Sequence, residues 1–164
     1  MLSLVLLFAA YAYSSNHKDI DRSTVTDVDL NEFMGKWYEI ARFNHRFERD
    51  MSAVTATYSM MDDGKIKIIN RGTRDGKPTE AIGKAKTTDT AGRLRVSFFW
   101  IFYSDYNILA MGPQGEWALI GSKSPKYLWI LARTPRIDST TLESIIKLAQ
   151  ARGYDTDKLI IDNN

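Results

Sequence analysis

Met34-Gly35-Lys36-Trp37-Tyr38-Glu39-Ile40-Ala41-Arg42-Phe43 is the stretch whose reading decides the fold. Trp37, Glu39, Ala41 and Phe43 fall on one side of an alternating run, and Tyr38, Ile40 and Arg42 on the other. That two-residue period belongs to a strand, in which successive side chains point to opposite faces. Gly35 suits a chain that turns sharply just before a bulky ring is inserted. Immediately upstream, Asp29-Leu30-Asn31-Glu32-Phe33-Met34 reads as a short helical turn, with Asp29 as its cap and Leu30 and Phe33 on one side.

Strand-like runs recur downstream at Ala53–Met60, Lys65–Gly72, Glu80–Thr87 and Arg93–Trp100, then at Tyr106–Met111, Trp117–Ser122 and Lys126–Arg133. Turn residues separate most of them, among them Asp62-Asp63-Gly64, Arg74-Asp75-Gly76-Lys77-Pro78 and Asp89-Thr90-Ala91-Gly92. Asn44–Met51 reads as a long charged loop. With the first strand these runs make eight, and no helix separates them, which excludes a parallel α/β design. Such a series suggests an antiparallel sandwich or a closed up-and-down barrel. Pro135 ends the last run. Asp138-Ser139-Thr140-Thr141 then supplies capping residues, and Leu142, Ile145, Ile146, Leu148 and Ala149 recur at helical spacing before Gly153. This predicts one amphipathic helix over about residues 139–152. Lys158-Leu159-Ile160-Ile161 offers a further short strand.

At 164 residues the chain suits one domain with a real core. Its 44% hydrophobic and 26% charged residues describe a soluble globular protein. A net charge of +2, spread without a basic stripe, speaks against nucleic acid as a partner. Residues 1–12, MLSLVLLFAAYA, are too short to span a bilayer and match the apolar part of a secretory signal, with Ala10-Tyr11-Ala12 before a cut at Tyr13. No Lys or Arg precedes them, so either the true start lies upstream or the signal is atypical. Residues 13–29 are polar and lack periodicity, as a linker does. The folded domain is expected over 30–164. The chain contains no Cys, which excludes disulfides, thiolate metal sites, cysteine nucleophiles and a cysteine-borne lipid anchor within it.

Enzyme chemistry finds no constellation here. His17 and His45 lie far apart, no Gly-x-Ser-x-Gly elbow occurs, and no phosphate-binding glycine loop is present. We therefore expect no catalytic residues, no metal and no cofactor. Glu39 shares a side with Trp37 and reads as a structural or ligand-orienting carboxylate rather than a base. The inward faces of the strands collect Ala41, Ala56, Tyr58, Ile68, Asn70 and Ala85, followed by Val96, Phe98, Tyr106, Ile108, Trp129 and Leu131. Small residues beside large aromatics and an occasional amide form either a solid core or a lined cavity. Apolar walls with a few polar groups are what small-molecule pockets use.

Gly35-x-Trp37, the strand series, Arg133 at the end of the last strand and the helix after it resemble the lipocalins. Within that family, Gly35–Phe43 with His45–Arg49, Val54–Ser59, Val96–Phe99 and Tyr127–Pro135 are most similar to the bacterial outer-membrane lipocalins of the apolipoprotein D-like group. The resemblance implies an all-β fold: an eight-stranded antiparallel up-and-down barrel, or calyx, with the C-terminal helix packed outside. It implies that Trp37 packs with Arg133 at the barrel base beside Gly35, where a guanidinium over an indole contributes roughly 0.5–2 kcal/mol. It further implies binding, storage or transport of a fatty acid or lysophospholipid in cell-envelope lipid maintenance, in the periplasm or at the outer membrane. A homodimer and peripheral contact with a membrane are the associated expectations. Arg46, Arg49 and Lys84 read either as a solvated rim, the leading reading for each, or as contacts for an anionic head group at the entrance, with Glu39 and Asn70 the better polar candidates inside. Two departures stand out. Met111-Gly112-Pro113 replaces the Thr-Asp-Tyr found in many members, and the usual lipoprotein Cys is missing. An isomerase-like enzyme, or a protein-interaction module using Asn44–Met51, are the alternative readings of the same barrel.

Overall fold

The computed structural model describes residues 19–46 and 48–162. A single helical turn, α1 (Leu30–Phe33), opens the barrel, capped by Asp29, whose carboxylate accepts from the Asn31 N–H. The strands β1 (Gly35–Phe43), β2 (Met51–Met60), β3 (Ile66–Arg74), β4 (Lys77–Thr87) and β5 (Arg93–Phe99) follow. Then come β6 (Phe102–Met111), β7 (Trp117–Gly121), β8 (Leu128–Ala132), helix α2 (Ser139–Ala151) and a short β9 (Leu159–Ile161). Neighbouring strands pair antiparallel from β2 through β8 and on to β1, whose first residues pair back with β2 and close the barrel. The eight-stranded closed barrel expected from the sequence is thus present, and β9 adds to the outer end of β1 through Ala41↔Ile161 and Phe43↔Leu159.

Alternation along the strands sorts the apolar side chains into two cores. The inner core fills the α1 end of the barrel, where Phe33, Trp37, Ile66, Leu94, Ile108, Ala118 and Ile120 are buried together. The outer core lies between the barrel wall and α2, where Ile40, Phe43, Leu119, Ile130 and Ala132 meet Ile145, Ala149 and Tyr154. The α2 helix starts at Asp138, whose carboxylate accepts from the Thr141 N–H at 2.8 Å. It buries one stripe, as an amphipathic surface helix does.

Three of the differences from the sequence expectation concern how the barrel is closed and strapped. First, β1 carries a bulge: Glu39 faces Leu131 on β8, but Ala41 faces Ile130, so Ile40 is an extra residue. A one-residue shift sends every following side chain to the opposite face. Ala41, expected inside, therefore packs in the outer core, and Arg42, expected outside, shares the inward face of its partner Trp129. Second, the turn between β3 and β4 is the pair Asp75-Gly76, with φ of 50° and 72°, and Pro78 lies within β4. β4 meets β5 only from Lys84 to Thr87, so around Pro78 the strand has a free edge where a missing N–H is tolerated. Third, the described part of the polar stretch before α1 is strapped to the barrel. Ile20 is buried in the outer core, the Asp21 N–H donates to Arg152 O and the Val25 N–H to Ile108 O. Its few apolar residues, Ile20, Val25 and Val28, carry that packing. The expected signal at residues 1–12 lies outside the described residues.

Candidate functional site

At the α1 end the barrel is sealed. The Arg133 guanidinium lies 3.7 Å from the centre of the Trp37 ring, donating to Lys36 O at 3.1 Å and to Glu32 O at 2.6 Å. Trp37 Nε1 donates to Phe33 O at 2.8 Å, and the Phe33 ring in turn meets Trp37 at 4.9 Å and Tyr58 at 5.2 Å. Gly35 adopts φ +94°, a left-handed conformation that side chains disfavour, while a Cβ there would meet nothing nearer than Arg133 at 3.5 Å. Backbone conformation, not lack of room, is what this position asks of glycine.

Above that plug a cavity of about 570 Å³ opens toward the other end of the barrel. Of the residues expected inside, Glu39, Ala56, Tyr58, Ile68, Asn70, Val96, Phe98, Tyr106, Trp129 and Leu131 line it. Ala85 and Ile108 do not: they are fully buried in the packed layer below, with Trp37, Ile66 and Leu94. The barrel's lower half is solid, so inward-pointing residues there pack against one another. Ala41 is absent from the wall because of the bulge in β1. Small residues on β4 serve different ends. Ala81 borders the cavity, whereas a Cβ on Gly83 would stand 2.7 Å from the Phe98 ring that covers it.

The wall also takes residues that the sequence reading passed over. Phe102 and Ser104 continue the inward period of Tyr106, since β6 begins four residues earlier than expected, at Phe102 rather than Tyr106. Extending that alternation backward was the available signal. His45, Glu48 and Met51 come from the β1–β2 loop and its end, and Tyr127 from the segment before β8. No periodicity marks loop residues of this kind. Of the three residues read as a solvated rim or as head-group contacts, Arg46 and Arg49 are exposed on the β1–β2 loop. Lys84 is instead on the outer wall, opposite Lys67 and Ser97.

Asn70, Arg74, Glu80, Ser104 and Asp105 interrupt the apolar wall, and so does a polar cluster on β1 and the loop after it. Arg42 Nη1 donates to Glu39 Oε1 at 2.6 Å, and Arg42 Nη2 donates to Glu48 O and Met51 O, tying the loop to β1. Glu48 Oε2 accepts from Trp129 Nε1 at 3.0 Å and stands 3.0 Å from His45 Nε2. Burial, together with the nearby Glu48 charge, pushes the Glu39 carboxyl up to about 8 despite the opposing pull of Arg42. Burial would raise Glu48 too, but hydrogen bonds from His45 and Trp129, with the His45 and Arg42 charges, hold it below the ordinary carboxylate range. The two carboxyls are thus pushed apart, Glu39 upward and Glu48 downward. Deeper in, the Tyr58 and Tyr106 hydroxyls share a hydrogen bond of 2.9 Å. Burial moves Tyr58 up to about 12 and Tyr106 well above its usual value, so both stay neutral. Asn70 Oδ1 is buried without a hydrogen-bond donor. Among the described residues, no group of three or more His, Asp or Glu side chains is arranged to hold a metal ion. Chemically, the site can enclose an apolar chain and hydrogen-bond one polar end.

Residues 28–164 match the family described as the lipocalin-like domain. The chain is 41% identical over 141 residues to the outer membrane lipoprotein Blc of Vibrio cholerae, covering 83% of this chain and 82% of that protein. It is 40% identical over 157 residues to the outer membrane lipoprotein Blc of Escherichia coli K12, covering 93% and 89%. Among solved structures, insecticyanin from the tobacco hornworm Manduca sexta superposes with a TM-score of 0.72, at 21% identity, over 88% of this chain and 85% of its own. That likeness is one of fold.

Proposed function

The chain belongs to the lipocalin family, and from that premise we propose that its calyx binds, stores or carries a single-chain lipid, a fatty acid or a lysophospholipid. The observation that carries the proposal is the cavity of about 570 Å³, apolar over most of its surface, with polar groups set into it at the Glu39–Glu48 cluster, at Asn70 and toward Arg74, Glu80 and Asp105. That volume lies within the range of small-molecule sites, roughly 300–1,000 Å³. An acyl chain packed against Ala56, Ile68, Val96 and Leu131 gains about 0.8 kcal/mol per buried CH₂. A sixteen-carbon chain therefore gains roughly 12 kcal/mol gross, and association and ordering costs bring the net to the micromolar range or tighter. Glu39, held above the usual carboxylate range, repels an anionic head less than an ordinary carboxylate would, and Asn70 Oδ1 has an unused acceptor for a ligand hydroxyl.

The function follows as lipid maintenance in a bacterial cell envelope, a reading supported by two relatives whose names place them at the outer membrane. A binding role, rather than an enzymatic one, suits a cluster whose carboxylates are engaged by Arg42, His45 and Trp129. Native mass spectrometry of the protein purified from its own compartment tests this directly, backed by titration with palmitate and with lysophosphatidylethanolamine. A co-purifying single-chain lipid and micromolar or tighter titrations are expected. A barrel that stays empty and takes up neither lipid refutes the proposal.

A further inference from the structure

We infer that the tip of the β5–β6 hairpin, Phe98–Phe102, docks this protein on an anionic lipid bilayer with the mouth of the calyx turned toward the membrane. Phe99, Trp100, Ile101 and Phe102 are 72%, 74%, 64% and 66% exposed, and Phe98 beside them is 44% exposed. Single exposed apolar residues are ordinary on soluble proteins, but a contiguous run of large ones marks an interaction surface. The turn itself argues for a purpose. Trp100 adopts φ +51°, a left-handed position at which Gly or Asn is favoured and a bulky ring is costly. The tip is also held locally: the Phe99 and Phe102 rings stack at 6.1 Å and 10°, and the single Ser97 hydroxyl proton is shared between Phe99 O and Trp100 O, each 3.4 Å away.

The charge around the tip selects the partner. Lys67, Lys84 and Lys86 stand exposed on the adjoining outer wall, with Lys67 directly opposite Lys84. Lys84 and Lys86 converge on the Tyr103 ring at 6.0 and 4.6 Å. None of the three forms an ion pair among the described residues, whereas the neighbouring acids Asp63, Glu80 and Asp105 are taken by Lys65, Arg71 and Arg95. Like charges placed opposite each other on a sheet are unfavourable unless an anion lies over them. An apolar tip above a collar of lysines is the composition of an interfacial membrane contact, with aromatics at the acyl boundary and ammonium groups among anionic head groups. A second copy of this chain would bring two cationic collars together, which disfavours self-association through this face.

The location connects docking to the cavity, and this link rests on the lipid-carrier reading above. Phe98, Phe99 and Phe102 belong to the cavity wall as well as to the tip. A lipid leaving the bilayer would pass along those rings into the calyx without crossing bulk water.

Flotation of the full chain with vesicles of phosphatidylcholine, with and without one-third phosphatidylglycerol, tests the inference. The parent is expected to float with the anionic vesicles and to be quenched by bromine on the acyl chains near the head group. Trp100→Ser with Ile101→Ser, neither of which lines the cavity, should lower vesicle binding at least tenfold while leaving titration with monomeric lysolipid unchanged. Lys67→Gln, Lys84→Gln and Lys86→Gln together should lower it about a hundredfold, at about fivefold for each lysine near an anionic surface. Absence of parent binding, equal binding to neutral vesicles, or retention by the tip variant each overturns the inference. So does a dimer by light scattering that the tip variant abolishes, because it assigns the tip to a second copy. Lipid titration is read separately, so an empty calyx on a bound vesicle refutes the carrier reading and leaves docking intact.

Discussion

Replacing Arg133 by Ala removes the guanidinium that closes the barrel base, and the structure lets the loss be apportioned. Stacking on the Trp37 ring at 3.7 Å is lost first, a contribution of roughly 0.5–2 kcal/mol depending on how far the pair is desolvated. The hydrogen bonds to Glu32 O and Lys36 O go with it. Such bonds from a charged donor contribute about 1.5–3 kcal/mol each when buried. Arg133 is only partly buried, so water replaces much of both bonds and roughly 1 kcal/mol for each is the fair figure. The sum is about 2.5–4 kcal/mol, or a fall in Tm of about 5–15 °C for a domain of this size. Arg133→Lys keeps the charge but not the planar fork, and should fall between the two. Thermal unfolding by circular dichroism checks the stability, and palmitate titration checks the pocket, which should be unaltered at temperatures where the variant is folded. A Tm within about 2 °C of the parent would refute the reasoning, because both the stacking and the hydrogen bonds would then have no net worth.

Further outcomes follow from the same geometry. Glu39 is raised from 4.5 to about 8 in the folded protein, so the folded state binds more protons than the unfolded chain between those values. Its contribution is fully present below about pH 4.5 and is lost as pH rises through about 8. Glu39→Gln should flatten the fall of the urea midpoint between pH 5 and pH 9, and an unchanged slope contradicts the assignment. Val96→Trp places a large ring in the cavity from a half-buried position on β5. Lipid affinity should drop more than tenfold in a protein that still unfolds cooperatively, whereas undiminished affinity means the ligand sits elsewhere. Gly35→Ala should cost about 1–2 kcal/mol through its left-handed backbone. Gly35→Asn should cost less, since Asn tolerates that region better. Equal losses for the two would point to crowding against Arg133 instead.

How far the sequence could be read depended on the range of the forces involved. The alternation in Trp37–Phe43 and its repeats downstream revealed the strands, because side chains of adjacent residues must point to opposite faces of an extended backbone. The capped turn before Gly35, the amphipathic stretch ending at Gly153 and the pairing of Trp37 with Arg133 were legible too, the last through resemblance. The bulge at Ile40 was not, since it exists only in the register that β1 adopts against β8, and it exchanged Ala41 for Arg42 on the inner face. Nor could the alternation tell Ala85 and Ile108 from Ile68 and Val96. All point inward, and only the closed barrel decides at what height packing stops and the cavity begins. His45 and Glu48 reach the site through a loop whose course follows from Arg42 holding its carbonyls. Sequence by itself determined the elements and their order, which depend on neighbours along the chain. Tertiary structure decided which side chains face the ligand space and which carboxyl is pushed up, because both depend on what distant strands bring alongside.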